Sequence, residues 1–272
     1  MMQCNGWPVA ICSWSLRIDV AGVADAMRQL EIGHVNLALK PALREGGDEY
    51  LAAVRRQPWT ITAMTIGFPQ EDYTTLESIR ATGGIVPDAH WPENRQAVVR
   101  AAEITSQFDV RYLTLHAGFL ESDDAAHARK IRDRLRWLAD AAAGQGLLLL
   151  LETGQETADC LRALLEDLNH PALGVNFDPA NMILYDKGDP VAAVRMLGAW
   201  IKHVHVKDAV RTQQPGTWGA EVPWGEGQVN SRAFLTALKE IGYGGALAIE
   251  REAGDDRLGD MRRAAERLAS WR

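Results

Sequence analysis

Four side chains of the types that hold metal ions each close an apolar run: Glu152 in "LLLLET", Asp178 in "GVNFDP", His205 in "HVHVKD" and Glu250 in "ALAIER". An ionised group placed behind Leu, Val and Ile is costly to bury alone. Four of them, one run after another, are best explained by convergence on a shared cation. Three carboxylates and one imidazole make a mostly oxygen, hard donor set. That set suits Mn²⁺ best, then Mg²⁺ or Co²⁺, and a catalytic Zn²⁺ is compatible. The carboxylates outweigh one divalent ion, so one of them can move protons while the others hold the metal.

The run "IKHVHVKDA" (201–209) adds neighbours to this set. Alternation along a strand sends His203, His205 and Lys207 to one face and Val204 and Val206 to the other. His203 lies a layer deeper than His205 and reads as a hydrogen-bonded core histidine. Lys207, at the strand end, suits a phosphate, oxyanion or hydroxyl of a ligand, or a site carboxylate. Asp208 reads as support or a loop cap, and Glu252 as solvated or ligand-facing. Trp14, Trp218 and Trp224 could stack on a ligand, but the chain has nine tryptophans, so most must serve packing. In "WGEG" the glycines read as turn formers, and Glu226 has no evident role.

These residues need elements to position them. Short β-type runs cover 9–16, 34–39, 59–66, 110–117, 146–153, 173–178, 201–208 and 246–252. Amphipathic stretches alternate with them, such as 92–108, opened by Pro92, and 123–146, opened by Asp123 and Asp124. In the latter, Ile131, Leu135 and Leu138 recur at helical spacing. Eight strand–helix units in 272 residues predict a single (β/α)₈ barrel. A doubly wound sheet would show a Gly-rich turn after its first strand, and "SWSLRIDVAG" has none. The spacings of 26, 27 and 45 residues between the four candidate ligands put them on strands five to eight. Two long connections, 67–91 and 209–229, leave from strand C-terminal ends, where barrels keep their active sites. Both read as ordered lids on one domain spanning 1–272.

A hydrophobic fraction of 47% is that of a globular chain with a large core. Net charge is −7 and no basic block occurs, which argues against nucleic-acid and anionic-membrane partners. Cys4, Cys12 and Cys160 form an odd set without CxxC spacing, the pattern of free thiols in a reducing cytoplasm. The longest apolar run, Leu147–Leu151, is too short to span a bilayer.

The motifs "LHAGF" (115–119), "LLETG" (150–154), "NFDPANMILY" (176–185), "HVHVKD" (203–208), "WGEGQVN" (224–230) and "GYGGALAIERE" (242–252) together resemble the sugar isomerase/epimerase superfamily of xylose isomerase-like TIM barrels. Its members include ketose 3-epimerases, hydroxypyruvate isomerase, inosose dehydratase and endonuclease IV. The resemblance implies that Glu152, Asp178, His205 and Glu250 ligate one divalent metal. It also implies that Glu152 and Glu250 are the catalytic proton-moving pair. Substrate contacts are implied for Arg211, six residues past His205, and for His116. Asn181, three residues past Asp178, replaces the usual histidine, which argues against a polynuclear zinc cluster and suits a sugar hydroxyl. Lys207 and Trp14 complete the expected substrate contacts. The expected reaction is proton transfer next to a carbonyl through an enediolate, in an isomerase or epimerase acting on a small carbohydrate. A lyase of the inosose dehydratase kind is the alternative. An abasic-site endonuclease and a non-catalytic binding barrel fit less well. Homo-oligomers are common among such barrels.

Overall fold

The computed structural model describes residues 2–121, 124–214 and 216–271. Eight parallel strands close on themselves: β1 (Trp7–Cys12), β2 (His34–Ala38), β3 (Thr60–Thr65), β4 (Tyr112–Leu115), β5 (Leu148–Glu152), β6 (Leu173–Phe177), β7 (Ile201–Val206) and β8 (Leu247–Ile249). Each pairs with the next in sequence, and β1 pairs with both β2 and β8. A (β/α)₈ barrel is the result.

The strands are shorter than their apolar runs suggest, because pairing stops where side chains turn toward the mouth. Asp178 and Glu250 follow directly after β6 and β8, and Glu152 is the last residue of β5. His205 is the one before last in β7. Outward-facing Leu, Val and Ile pack under the surrounding helices in one continuous core. Inward positions are small or polar: Ala10, Cys12 and Ala248 form a separate apolar cluster, and Asn36, Thr114, Asn176, His203 and His205 are buried above and around it.

Helix starts follow ordinary capping chemistry. Asp124 caps the helix Ala125–Gly144 by accepting from the Ala126 backbone N–H, and Ile131, Leu135 and Leu138 face the core. Asp123, expected to share that cap, lies outside the described residues. Pro92 sits in the first turn of Trp91–Thr105. The opposite, N-terminal end of the barrel is closed by Gln3–Cys4, which pairs antiparallel with the start of β1, and by Trp7 stacked on Trp271.

The long connection after β3 carries a helix of its own, Leu76–Thr82, and a 3₁₀ turn, Asp88–His90. Gly84 makes its close approach possible. Its φ is +61°, and a Cβ there would sit 2.2 Å from the Ala117 carbonyl at the end of β4. The connection after β7 forms an antiparallel ribbon, Asp208–Val210 with Ala220–Val222. Asp208 organises the rest of that loop, accepting from the backbone N–H groups of Gly225 and Gly227 through Oδ2 and of Val229 through Oδ1. Among the described residues no helix is long and apolar enough to cross a membrane.

Candidate active site

Glu152, Asp178, His205 and Glu250 meet at the C-terminal mouth of the barrel. Each offers one ligand atom, and these atoms all lie within 4.8 Å of one another. All four side chains are buried. His205 Nδ1 stands 3.3 Å from Glu152 Oε1, 3.4 Å from Glu250 Oε2 and 3.6 Å from Asp178 Oδ2.

Local chemistry aims each group. Asp178 is the N-cap of the short helix Pro179–Leu184. Its Oδ1 accepts from the Ala180 and Asn181 N–H groups, which leaves Oδ2 turned to the cluster with no hydrogen-bond partner. Its backbone N–H donates to Thr153 Oγ1, and that hydroxyl returns a bond to the Asp178 carbonyl, so the tips of β5 and β6 are locked together. The Asn36 amide donates to Ala63 O and Thr65 Oγ1, so its Oδ1 must accept from His205 Nε2, at 2.9 Å. That leaves Nδ1 facing the carboxylates, also without a hydrogen-bond partner. Glu152 Oε2 accepts from Asn176, and Glu250 Oε1 accepts from Trp14 Nε1 at 2.7 Å.

Two orphaned buried ligand atoms pointing at two further carboxylates are what a divalent cation would satisfy. The donor set therefore fits a metal ion. Burial pulls the His205 imidazole toward neutrality, but Cys12, Glu152 and Glu250 around it outweigh this and hold its pKa well above the usual value. Burial raises the Glu152 carboxyl, yet His116 and His205 overcome that and hold it well below the usual carboxylate range.

Residues 21–271 match the family model for the xylose isomerase-like TIM barrel. The chain belongs to that family. A solved xylose isomerase domain protein from Planctomyces limnophilus is 31% identical, with a TM-score of 0.87 over 96% of both chains. A xylose isomerase-like TIM barrel protein from Mycobacterium smegmatis, in complex with magnesium, is 19% identical, with a TM-score of 0.75 over 99% of this chain and 97% of that one. The 3-keto-D-glucoside 4-epimerase from E. coli is 14% identical, with a TM-score of 0.72 over 96% and 98%. At such identities the last two show the shared fold. The curated relative, an uncharacterised protein of Methanocaldococcus jannaschii, is 26% identical over 166 residues, 56% of this chain, and the match spans only about half, 54%, of that protein.

Within this xylose isomerase-like barrel the other sequence-predicted residues divide. His116 Nε2 lies 3.2 Å from Glu152 Oε1, and Asn181 Nδ2 donates to the same oxygen at 3.2 Å. Burial lowers the His116 pKa, but Glu152 and Glu71 push it up to about 9. Lys207 is buried among carboxylates, donating to Glu250 at 2.9 Å and Glu252 at 3.0 Å, and Trp14 touches Glu250. Arg211 is not brought into this group. Its guanidinium pairs with Asp186 and donates to the Gly188 carbonyl, in the connection after β6, and its backbone N–H donates to Gln228 Oε1. Glu226 pairs with Arg267 on the surface, and Trp224 packs on Phe234.

Several residues around the site escaped sequence reasoning. Glu71 turns inward from the long third loop and accepts from the Phe68 and Gly84 N–H groups, while burial raises its pKa. Glu221, on the seventh-loop ribbon, pairs with Arg251 at 2.7 Å and approaches Lys207 at 4.0 Å. Gln155 and Tyr185 form a patch beside Asn181 together with Trp218, a ring the sequence offers for stacking. Glu156, just after Gln155, is buried, which with Glu121 nearby pushes its pKa to about 8 against the pull of His116 and Lys187. The one local signal was "ETGQET" itself, a polar run after a buried strand.

Proposed function

We propose that this chain is a divalent-metal-dependent isomerase or epimerase that moves a proton next to the carbonyl of a small carbohydrate. The observation that carries the reading is the pair of orphaned ligand atoms, His205 Nδ1 and Asp178 Oδ2, aimed between Glu152 and Glu250. Glu152, Asp178, His205 and Glu250 would hold the ion, with Mn²⁺ the best match to the donor set. When bound, the ion supplies a Lewis acid that lowers the cost of negative charge on the carbonyl oxygen.

The protein's own groups do the rest. Glu152 and Glu250 approach from strands three places apart in the barrel, so a substrate between them presents different carbons or opposite faces to each. One carboxylate takes the proton and the other returns it. Trp14 and Lys207 hold Glu250, and Asn176 and Asn181 hold Glu152, so neither carboxylate must reorganise as charge develops. His116, 3.2 Å from Glu152, holds that carboxylate ionised and so ready to take a proton. Return to the neighbouring carbon makes an isomerase, and return to the other face makes an epimerase.

The test is incubation of the Mn²⁺-loaded protein with a panel of aldoses, ketoses and keto-sugars in D₂O. Deuterium should enter a C–H bond adjacent to the carbonyl of at least one of them. Failure to exchange with every member, in protein holding its metal, would overturn the reading.

A further inference from the structure

We propose that the site takes an uncharged polyhydroxy carbonyl compound rather than a phosphorylated or carboxylate-bearing one, and that Gln155 and Trp218 read hydroxyls at its unreactive end. This rests on the function proposed above and names the substrate class of that same site.

The first support is the state of the cations. Lys207 is the ammonium at the mouth, and it already faces Glu250 at 2.9 Å, Glu252 at 3.0 Å, Asp178 at 3.8 Å and Glu221 at 4.0 Å. Its three N–H bonds have more carboxylates to serve than they can reach. Arg251 is held between Glu221 and Asp260, both at 2.7 Å. His116 is spent on Glu152, and Arg211 is turned outward to Asp186 and Gly188. A phosphate or carboxylate seated on any of these four cations would have to displace an internal carboxylate or carbonyl from it; Lys40, exposed and near Glu71, stands outside this set. It would also sit against Glu71, Glu152 and Glu252, and like charges at close range cost several kcal/mol.

The second support is independent and concerns neutral groups. Gln155 is only 2% exposed. Its Nε2 donates to the Tyr185 hydroxyl at 3.2 Å, while its Oε1 has no partner. Trp218 Nε1 is likewise buried and unpartnered, and its ring packs on Tyr185 at 4.8 Å between centroids. One acceptor and one donor, both uncharged, are left open on either side of Tyr185. A hydroxyl is both donor and acceptor, so one or two neighbouring hydroxyls satisfy both atoms.

The patch adjoins the reacting end. Gly154, with φ of +146°, lies so close to the next element that a Cβ would stand 2.5 Å from Asn181 Cβ and 3.3 Å from the Tyr185 ring. Asn181 in turn donates to Glu152. Gln155 therefore begins one side chain away from the proton-moving carboxylate.

Matched pairs test this in the Mn²⁺-loaded protein: D-fructose with D-fructose 6-phosphate, D-ribulose with D-ribulose 5-phosphate, and the unreactive pair xylitol and D-xylonate. Calorimetry reads binding, and solvent deuterium reads exchange. The neutral member should bind at least about 100-fold more tightly. Equal or tighter binding of the anionic members overturns the proposal, and so does failure of every neutral member to bind. Neutral binding without exchange would sink the proton-transfer function and leave the substrate class standing. Gln155→Leu and Trp218→Phe should raise KM for a neutral sugar about tenfold, with metal content and kcat little changed. Unchanged KM in both would remove these two residues from recognition. Glu252→Gln frees one Lys207 bond and should narrow the neutral-to-anionic ratio; an unaltered ratio contradicts the role given to the saturated ammonium.

Discussion

His203 and His205 stand two residues apart on the same face of β7, both fully buried, yet their surroundings make them different chemical objects. His203 belongs to the barrel floor, where both of its ring nitrogens are answered. Its Nδ1 donates to Asn176 Oδ1 at 2.9 Å, and its Nε2 lies 3.0 Å from Thr62 Oγ1. Burial, with His205 nearby, pushes its pKa down to about 3, so it is neutral. His205 belongs to the mouth, where one nitrogen is fixed by Asn36 and the other is left for something not supplied by the chain. The network around His203 is closed. The mouth is an open one, and an open network of charges in a buried place marks function.

The largest effects should separate these two histidines. His205→Ala should abolish metal binding and reduce turnover by about 10³-fold or more, the several kcal/mol that a Lewis acid contributes. His203→Leu should keep the metal and most of the activity, and lose about 1–3 kcal/mol of stability by orphaning Asn176 Oδ1 and Thr62. Metal analysis and denaturant titration of both variants read the contrast. Equal metal loss in the two would erase the distinction between floor and mouth.

Within the mouth, the glutamates should differ from the histidine. Glu152→Gln and Glu250→Gln each keep an oxygen ligand but lose a proton acceptor. Metal should largely remain while turnover falls about 10²–10⁴-fold. Followed separately, solvent exchange should vanish in the variant that lacks the first base and persist in the variant that lacks the returning acid. Near-normal turnover in both, with metal bound, would move the base to His116 or Lys207.

The smallest expected effect lies at the edge of the mouth, in the buried Glu156. Its folded pKa of about 8 exceeds the ordinary value of 4.5, so the folded state binds the extra proton between those limits. The stability contributed by its neutral form is complete below pH 4.5 and is lost as pH rises through 8. Glu156→Gln should therefore raise Tm at pH 8.5 and leave it unchanged near pH 4. A variant with the same Tm difference at both pH values would show that Glu156 stays ionised.

The same contrast explains what the sequence reveals. The barrel is legible because eight apolar runs alternate with amphipathic stretches, a pattern set by local periodicity. The four metal-type residues are legible because each is an ionisable side chain at the end of such a run. Strand ends are less so: residues such as Lys207 and His116 share the alternation but lie beyond the last paired residue. The partners that aim the site, Asn36 and Asn176, look like ordinary strand residues, since nothing local tells a buried amide from a surface one. Glu71, Gln155, Glu221 and Trp218 reach the mouth through loop paths fixed by distant contacts, such as Gly84 on Ala117 and Asp208 on the seventh loop. Arg211 is the converse, a residue that the family resemblance placed at the site but whose guanidinium is engaged by Asp186 and the Gly188 carbonyl.

The central claim is that the buried quartet is a metal centre. Anomalous scattering from a Mn²⁺-soaked crystal tests it most directly. One ion should appear within about 2.0–2.6 Å of Glu152, Asp178 Oδ2, His205 Nδ1 and Glu250. An ion bound elsewhere, or a fully soaked crystal with the quartet empty and its carboxylates still paired to His205 and Lys207, would contradict the account.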